Sequence, residues 1–287
     1  MSSQSENEPH EFTAGDARRV VRIPGPADDK YRRGVLGVQT GSSAYPGAAV
    51  LGVEAAVRTG VGMVRYLGDS APTSLVLQRR PEVVTAPGRV QAWLLGSGMN
   101  TEERSGEVAR RLDAAIAEQV PRVLDAGALD LAAHADRATI ITPHAGELSS
   151  LWGDAGESVE RSAIEADPTS WARRSAEHFG VTVLVKGVRT IVASPGGACM
   201  SVTASSSWAA TAGSGDVLGG ILGALLATNA EHIDSYDGDG LASIAAAAAF
   251  LHQAAAARAS AGGPISALDI AEALPGTISE LVRAELR

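Results

Sequence analysis

Short, uninterrupted apolar blocks punctuate this chain, and longer stretches of mixed polarity separate them. Strands are predicted at 35–39, 63–66, 82–85, 92–95, 122–125, 139–142 and 182–186, and helices at 48–59, 101–118, 127–135, 145–152 and 158–179. Strands that alternate with helical stretches in this way are the habit of parallel sheets covered by helices on both faces. Residues 34–66 then form a βαβ unit. The segments 190–194 and 198–203, joined by Pro195-Gly196-Gly197, read as a hairpin. A core helix at 214–228, an acidic loop at 234–240 and two closing helices complete the pattern. The alternation predicts an α/β fold of three layers, with a mostly parallel central sheet and helices on both faces. No linker rich in Pro, Gly or Ser divides it, and no repeat is present. Residues 1–27 are expected to be poorly ordered, and residues 28–287 to form one domain.

The most informative stretch runs from Trp208 to Ala227. Ala210 to Gly215 are all small, whereas Val217 to Ala227 are apolar almost all round, as in a buried helix. A small-residue turn feeding a helix leaves its first N–H groups facing outward at the positive end of the dipole, and so makes an anion site. Gly213 and Gly215 permit a close backbone approach, which suits a phosphate. Asp216 stands in that first turn. It is either a partner of the helix dipole or a base that takes a proton from a hydroxyl attacking the phosphate. Gly219, Gly220 and Gly223 weaken the helix and make sense if another backbone packs closely there.

Composition narrows the partners. The chain has 287 residues, 45% of them apolar and 4% aromatic, and its net charge is −9 from 24 basic and 33 acidic residues. Such a balance argues against nucleic acid or an anionic membrane as partner. The one cysteine, Cys199, excludes intrachain disulfides and cysteine metal clusters. The polar start of the chain lacks a secretory core, and the Ala-rich run 244–257 reads as a buried helix, so a cytoplasmic location is expected. Only Lys30 and Lys186 are lysines.

Several strands end in small or polar residues: Gly96-Ser97-Gly98, Asp125, Thr142-Pro143-His144 and Lys186-Gly187. In a parallel sheet these ends share the edge where ligands bind. Lys186 is either a snorkelling strand-end lysine or a contact for nucleotide phosphate. His144 opens a strand-to-helix turn, with Glu147 placed for capping; its role is structural or ligand-binding. Asp125 touches a magnesium-bound water network or caps the next helix. Asp234, Asp237 and Asp239 lack the spacing of a calcium loop and read as a solvated acidic loop. No Walker motif is present, and Gly213-x-Gly215-x-x-x-Gly219 sits too late in the chain for a dinucleotide fingerprint.

Gly213-Ser-Gly-Asp216 opening a glycine-rich helix resembles the anion hole and base of the ribokinase-like fold. Four further stretches narrow the resemblance: Gly47 to Val64, Leu95-Gly-Ser-Gly98, Ile141-Thr-Pro-His-Ala-Gly-Glu-Leu148 and Val185-Lys-Gly187. Together they are similar to the ADP-dependent NAD(P)H-hydrate dehydratases, which repair hydrated nicotinamide cofactors. The resemblance implies that ADP phosphorylates the ring hydroxyl of the hydrate, that phosphate then leaves, and that NAD(P)H, AMP and phosphate result. It implies Asp216 as the base, with Ala212, Gly213, Ser214 and Gly215 as the anion hole. Lys186, Gly187, Val188, Arg189, Thr190 and Gly215 would contact the adenine nucleotide. Ala48, Gly98, His144 and Asp216 would line the hydrate pocket. Mg2+ would accompany the nucleotide with no resident protein metal site, and a homotetramer and a separate NAD(P)H-hydrate epimerase are implied as well. The sequence departs from the family pattern at Ser43-Ala44-Tyr45 and at Met99-Asn100. Two alternatives share the anion turn: an ATP-dependent kinase of a thiazole or pyrimidine alcohol, and a non-catalytic adenine-nucleotide sensor.

Overall fold

A computed structural model of the chain describes residues 8–102, 104–135, 138–233 and 239–283. Among the described residues nine strands form one sheet. They are β1 (His10–Glu11), β2 (Val35–Gln39), β3 (Met63–Tyr66), β4 (Ala92–Leu95), β5 (Arg122–Leu124), β6 (Thr139–Ile141), β7 (Thr182–Val185), β8 (Arg189–Ala193) and β9 (Cys199–Thr203). Their order is β1-β9-β8-β7-β6-β5-β4-β2-β3. Every pairing is parallel except β7 with β8 and β8 with β9, which form the expected hairpin. Strands β2, β4, β5, β6 and β7 are buried at every position, including the polar Gln39, Arg122, Thr139 and Thr182 at their ends, as central strands covered on both faces are.

One face of the sheet carries α1 (Ala14–Val20), α2 (Pro46–Thr59), α8 (Ser214–Asn229), α9 (Gly240–Ser260) and α10 (Ala267–Arg283), with α3 (Ser70–Arg79) packed on α2. The other face carries α4 (Gly106–Ala117), a 3-10 segment (Ala126–His134), α5 (Ala145–Asp154), α6 (Arg161–Ala166) and α7 (Pro168–Phe179). Helix α9 is long and apolar enough to cross a membrane, yet its residues are packed against α8, α10 and the sheet. Of the α8 glycines, Gly220 meets another backbone as expected, whereas Gly219 and Gly223 face the side chains of Leu94 and Leu36 on the sheet. A Cβ on Gly220 would lie 2.1 Å from the Gly52 carbonyl oxygen of α2, so the two helices meet backbone to backbone. That contact sets the depth at which the start of α8 sits against the sheet.

The structure corrects five expectations. Residues 10–20 are ordered: β1 pairs with β9, and Thr13 and Asp16 form a reciprocal capping box on α1. Residues 82–85 make a single bridge from Val84 to Arg65, because Pro81 and Pro87 bracket the segment and leave little backbone to pair. The helix expected at 158–179 is two. It breaks at Asp167, the residue before Pro168, and the Asp167 side chain caps the second helix at Ser170. The helix expected at 127–135 is 3-10 in form, entered through Ala126 at φ 45°. That expected at 101–118 starts at Gly106, behind a Ser105 cap. Asp234 and Asp237 lie outside the described residues, and Asp239 accepts a hydrogen bond from Ser194 Oγ.

Candidate active site

Four neighbouring strands end at one carboxylate. Asp125, directly after β5, accepts from Ser97 Oγ beyond β4 at 2.9 Å and from Thr142 Oγ1 beyond β6 at 2.8 Å. Lys186, directly after β7, closes the set with Nζ 2.9 Å from Asp125 Oδ1 and 3.4 Å from Glu147 Oε2. Asp125 is 4% exposed, and a buried carboxylate persists as an ion only when fully partnered. Burial alone would raise its pKa, but Lys186 and the two hydroxyls outweigh that and hold it below the ordinary value. Burial would likewise lower Lys186, but Asp125 and Glu147 prevail and raise it, so the pair stays ionised. Asp125 makes no side-chain cap on the segment it precedes, so the capping alternative falls away.

The start of α8 faces this cluster. Gly213 takes φ 87°, the left-handed turn that only glycine adopts freely, and a Cβ there would strike Leu51 at 2.4 Å. A Cβ on Gly215 would lie 3.8 Å from Lys186 Nζ, so the ammonium hangs over the first turn of the helix. The Ser214 N–H is engaged within the turn, donating to the Thr211 carbonyl at 3.2 Å. Asp216, half-buried at the third helical position, is pushed up to about 6 by burial and by the charge of Asp125, with Lys186 opposing. An acid whose pKa lies near neutrality is suited to accept and release a proton.

Beside Lys186 and the first turn of α8 opens a cleft of about 700 Å³, bordered by His144, Lys186, Gly187, Val188, Thr190 and Gly215, with Leu218 and Ala249 giving it apolar floor; Asp125, Ala212, Gly213 and Asp216 adjoin its lining without being part of it. His144 Nδ1 accepts from the N–H groups of Gly146 and Glu147, and Glu147 Oε2 accepts from the His144 N–H, so the residue caps α5 while its ring borders the cleft. Arg189 is turned away: its guanidinium donates to Ser201 Oγ on β9. Ala48 and Gly98 sit together outside the lining of the cleft, where a Cβ on Gly98 would lie 2.3 Å from that of Ala48. Ser43, Ala44, Met99 and Asn100 line a separate hollow of about 250 Å³. Among the described residues no group of three or more His, Cys, Asp or Glu is arranged to hold a metal ion.

Sequence reasoning missed His252, which is buried in α9 and lies 3.0 Å from Ser214 Oγ. The one signal was an isolated histidine in a run of alanines. It also missed that Ser97 and Thr142 converge on Asp125, since nothing local in the chain announces that meeting.

The family model described as NAD(P)H-hydrate dehydratase matches residues 36–275. The chain belongs to the NAD(P)H-hydrate dehydratase family. It is 35% identical over 275 residues to the ADP-dependent (S)-NAD(P)H-hydrate dehydratase of Neisseria meningitidis, covering 85% of this chain and 86% of the relative. It is 44% identical over 229 residues to the bifunctional NAD(P)H-hydrate repair enzyme of Mycobacterium tuberculosis, covering 76% of this chain but 46% of that protein. The chain thus spans about half the length of these bifunctional relatives. The fold matches the ADP/ATP-dependent NAD(P)H-hydrate dehydratase of Bacillus subtilis, with TM-score 0.81, 21% identity and coverage of 96% and 99% of the two chains. The ribokinase-like architecture expected from the sequence is the observed one.

Proposed function

We propose that this chain repairs the S-form of hydrated NADH and NADPH, dehydrating it at the expense of ADP. The observation that carries the reading is Asp216, an acid of raised pKa held at an anion-binding turn opposite a buried Lys186–Asp125 pair. Hydroxide is a poor leaving group, so the ring hydroxyl has to be activated. Asp216 accepts the hydroxyl proton as the oxygen attacks the β-phosphorus of ADP, and AMP departs. The phosphorylated oxygen then leaves as phosphate, a ring proton is lost and the double bond returns. The sum is hydrate plus ADP giving NAD(P)H, AMP, phosphate and a proton.

The chain's own residues divide the work. The amides of Ala212, Gly213 and Gly215, with Ser214, face the transferring phosphoryl group, the electrostatic contribution on which such reactions chiefly depend. Lys186 to Thr190 hold the adenylate, with Arg189 contributing backbone, since its side chain is committed to Ser201. Ala48, Gly98, His144 and Asp216 bound the hydrate. Mg2+ fits this site as an ion carried by the nucleotide. Both Asp125 oxygens are engaged, so Glu147 is the carboxylate that would help hold it beside phosphate and water, where it would neutralise phosphate charge. The same reading includes a cytoplasmic homotetramer working with an NAD(P)H-hydrate epimerase. An ATP-dependent vitamin-alcohol kinase would use the same base, but the family match and the ADP dependence in the names of its relatives favour the hydrate.

Asp216→Asn is the direct test, because it keeps the size and removes the base. Hydrate turnover should fall by roughly 10²–10⁴-fold. ADP binding should be unchanged or tighter, since a negative charge beside the phosphates is gone. Near-normal turnover would remove Asp216 from the chemistry.

A further inference from the structure

His252 has no part in the mechanism above, yet it is the one histidine buried near the anion turn. It lies in α9 between Leu251 and Gln253, 5% exposed, where an imidazole needs a hydrogen-bonding partner to offset its desolvation. Its Nε2 stands 3.0 Å from Ser214 Oγ, on the first residue of α8. Burial pushes its pKa down to about 4, against an opposing hydrogen bond with the Ser214 backbone. At neutral pH the ring is therefore uncharged and adds no positive charge to a phosphate site. What remains is direction: a neutral imidazole has one donor and one acceptor nitrogen, and its neighbours decide which is which.

The neighbours here favour one polarity. The Ser205 N–H, which can only donate, meets Gln253 Oε1 at 3.3 Å, and this fixes the orientation of the amide. Gln253 Nε2 consequently faces His252 Nδ1, at 3.5 Å. That contact is long, but it presents a donor, so Nδ1 is the acceptor and the ring proton sits on Nε2. Nε2–H then donates to Ser214 Oγ, and the hydroxyl proton of Ser214 is left to point elsewhere. Ser214 borders the cleft, and its own amide is spent on Thr211. Any donor that Ser214 offers an anion in the turn must accordingly be its hydroxyl.

Resting on the reading of the cleft as a phosphoryl-transfer site, we infer that His252 is a positioning residue. A chain from Ser205 through Gln253 and His252 orients the Ser214 hydroxyl as a donor to the phosphoryl group that ADP has and AMP lacks. No proton moves along the chain; each bond fixes the direction of the next. The opposite tautomer would turn the hydroxyl back toward the ring and present a lone pair to the anion.

Nitrogen-15 NMR of the histidine-labelled full chain reads the tautomer directly, and calorimetry with ADP and with AMP reads its consequence. We expect His252 protonated at Nε2. Ser214→Ala should weaken ADP by roughly tenfold, the worth of one charge-assisted hydrogen bond, and leave AMP within about twofold. His252→Leu should reproduce that split and add nothing when combined with Ser214→Ala, since the two act through one contact. His252→Gln keeps an N–H near the position of Nε2 and should restore most of the ADP affinity, even if the leucine variant fails to fold. Protonation at Nδ1, equal losses of ADP and AMP, or additive losses in the double variant would overturn the inference. None of these measurements needs the hydrate. A wild-type protein that bound ADP but turned over no hydrate would overturn the dehydratase reading and leave this one standing or falling separately.

Discussion

Asp216 shows what a residue's identity tells and what only its surroundings tell. Its place after Gly213-Ser-Gly is legible in the sequence, but its two readings are not separable there. A carboxylate that served the fold only as a dipole partner would have its pKa lowered, whereas burial and Asp125 raise that of Asp216 to about 6, which supports the proposed base. The sign of the pH effect follows. Between about pH 4 and 6 the folded state binds more protons here than the unfolded chain, so this residue's contribution to stability falls as pH rises through that window. Above it the ionised carboxylate costs on the order of 1–3 kcal/mol. Asp216→Asn should therefore melt higher than wild type at pH 8 and nearly level with it at pH 4, and wild-type kcat/KM should lose activity below about pH 6. Melting curves at the two pH values check this; a variant less stable at pH 8 would return Asp216 to the dipole role. Lys186 and Asp125 were likewise legible as strand ends. Their pairing was not, because it joins residues far apart in sequence.

Elements were legible where their pattern was complete. Short apolar segments set between helical stretches could be little else, and β2, β3 and β4 fall where the sequence put them. What failed was decided by single residues: Pro168 splitting a helix, Pro81 and Pro87 starving a strand, Thr13 with Asp16 organising a helix in a stretch otherwise too polar to notice. The α2–α8 contact lies between these cases. Its glycines were visible, but the partner was not. Replacing a helical glycine with alanine ordinarily gains up to ~1 kcal/mol. At Gly220 the new Cβ would meet the Gly52 carbonyl oxygen at 2.1 Å and the Ala55 Cβ at 2.9 Å, and neither backbone can yield. Overpacking of this kind costs roughly 1–3 kcal/mol or more, so the clash outweighs the propensity gain. Gly220→Ala should lower the melting temperature, whereas Gly153→Ala in α5, with open space at its Cβ, should raise it slightly. A stabilising Gly220→Ala would mean that the two helices stand further apart than described.

At the scale of the whole molecule, the parallel sheet gathers four strand ends at one carboxylate, and the α2–α8 contact brings an anion-binding turn against them. The protein is acidic overall, with net charge −9, so the proposed phosphate site relies on local amides and Lys186 and not on a basic surface. This placement explains why the edge was foreseeable: strand ends in parallel sheets converge by topology, whichever residues they carry. The chemistry on the edge required the side chains. The central claim is that the edge spends ADP to remove water from a hydrated nicotinamide. Mixing the full chain with S-form NADH hydrate and ADP tests it most directly, by following the reduced-nicotinamide absorbance together with the AMP and phosphate released. The absorbance should return only when ADP and protein are both present, with one AMP and one phosphate for each NADH regained. No return with ADP or ATP, alongside ATP-dependent phosphorylation of a thiazole or pyrimidine alcohol, would contradict it.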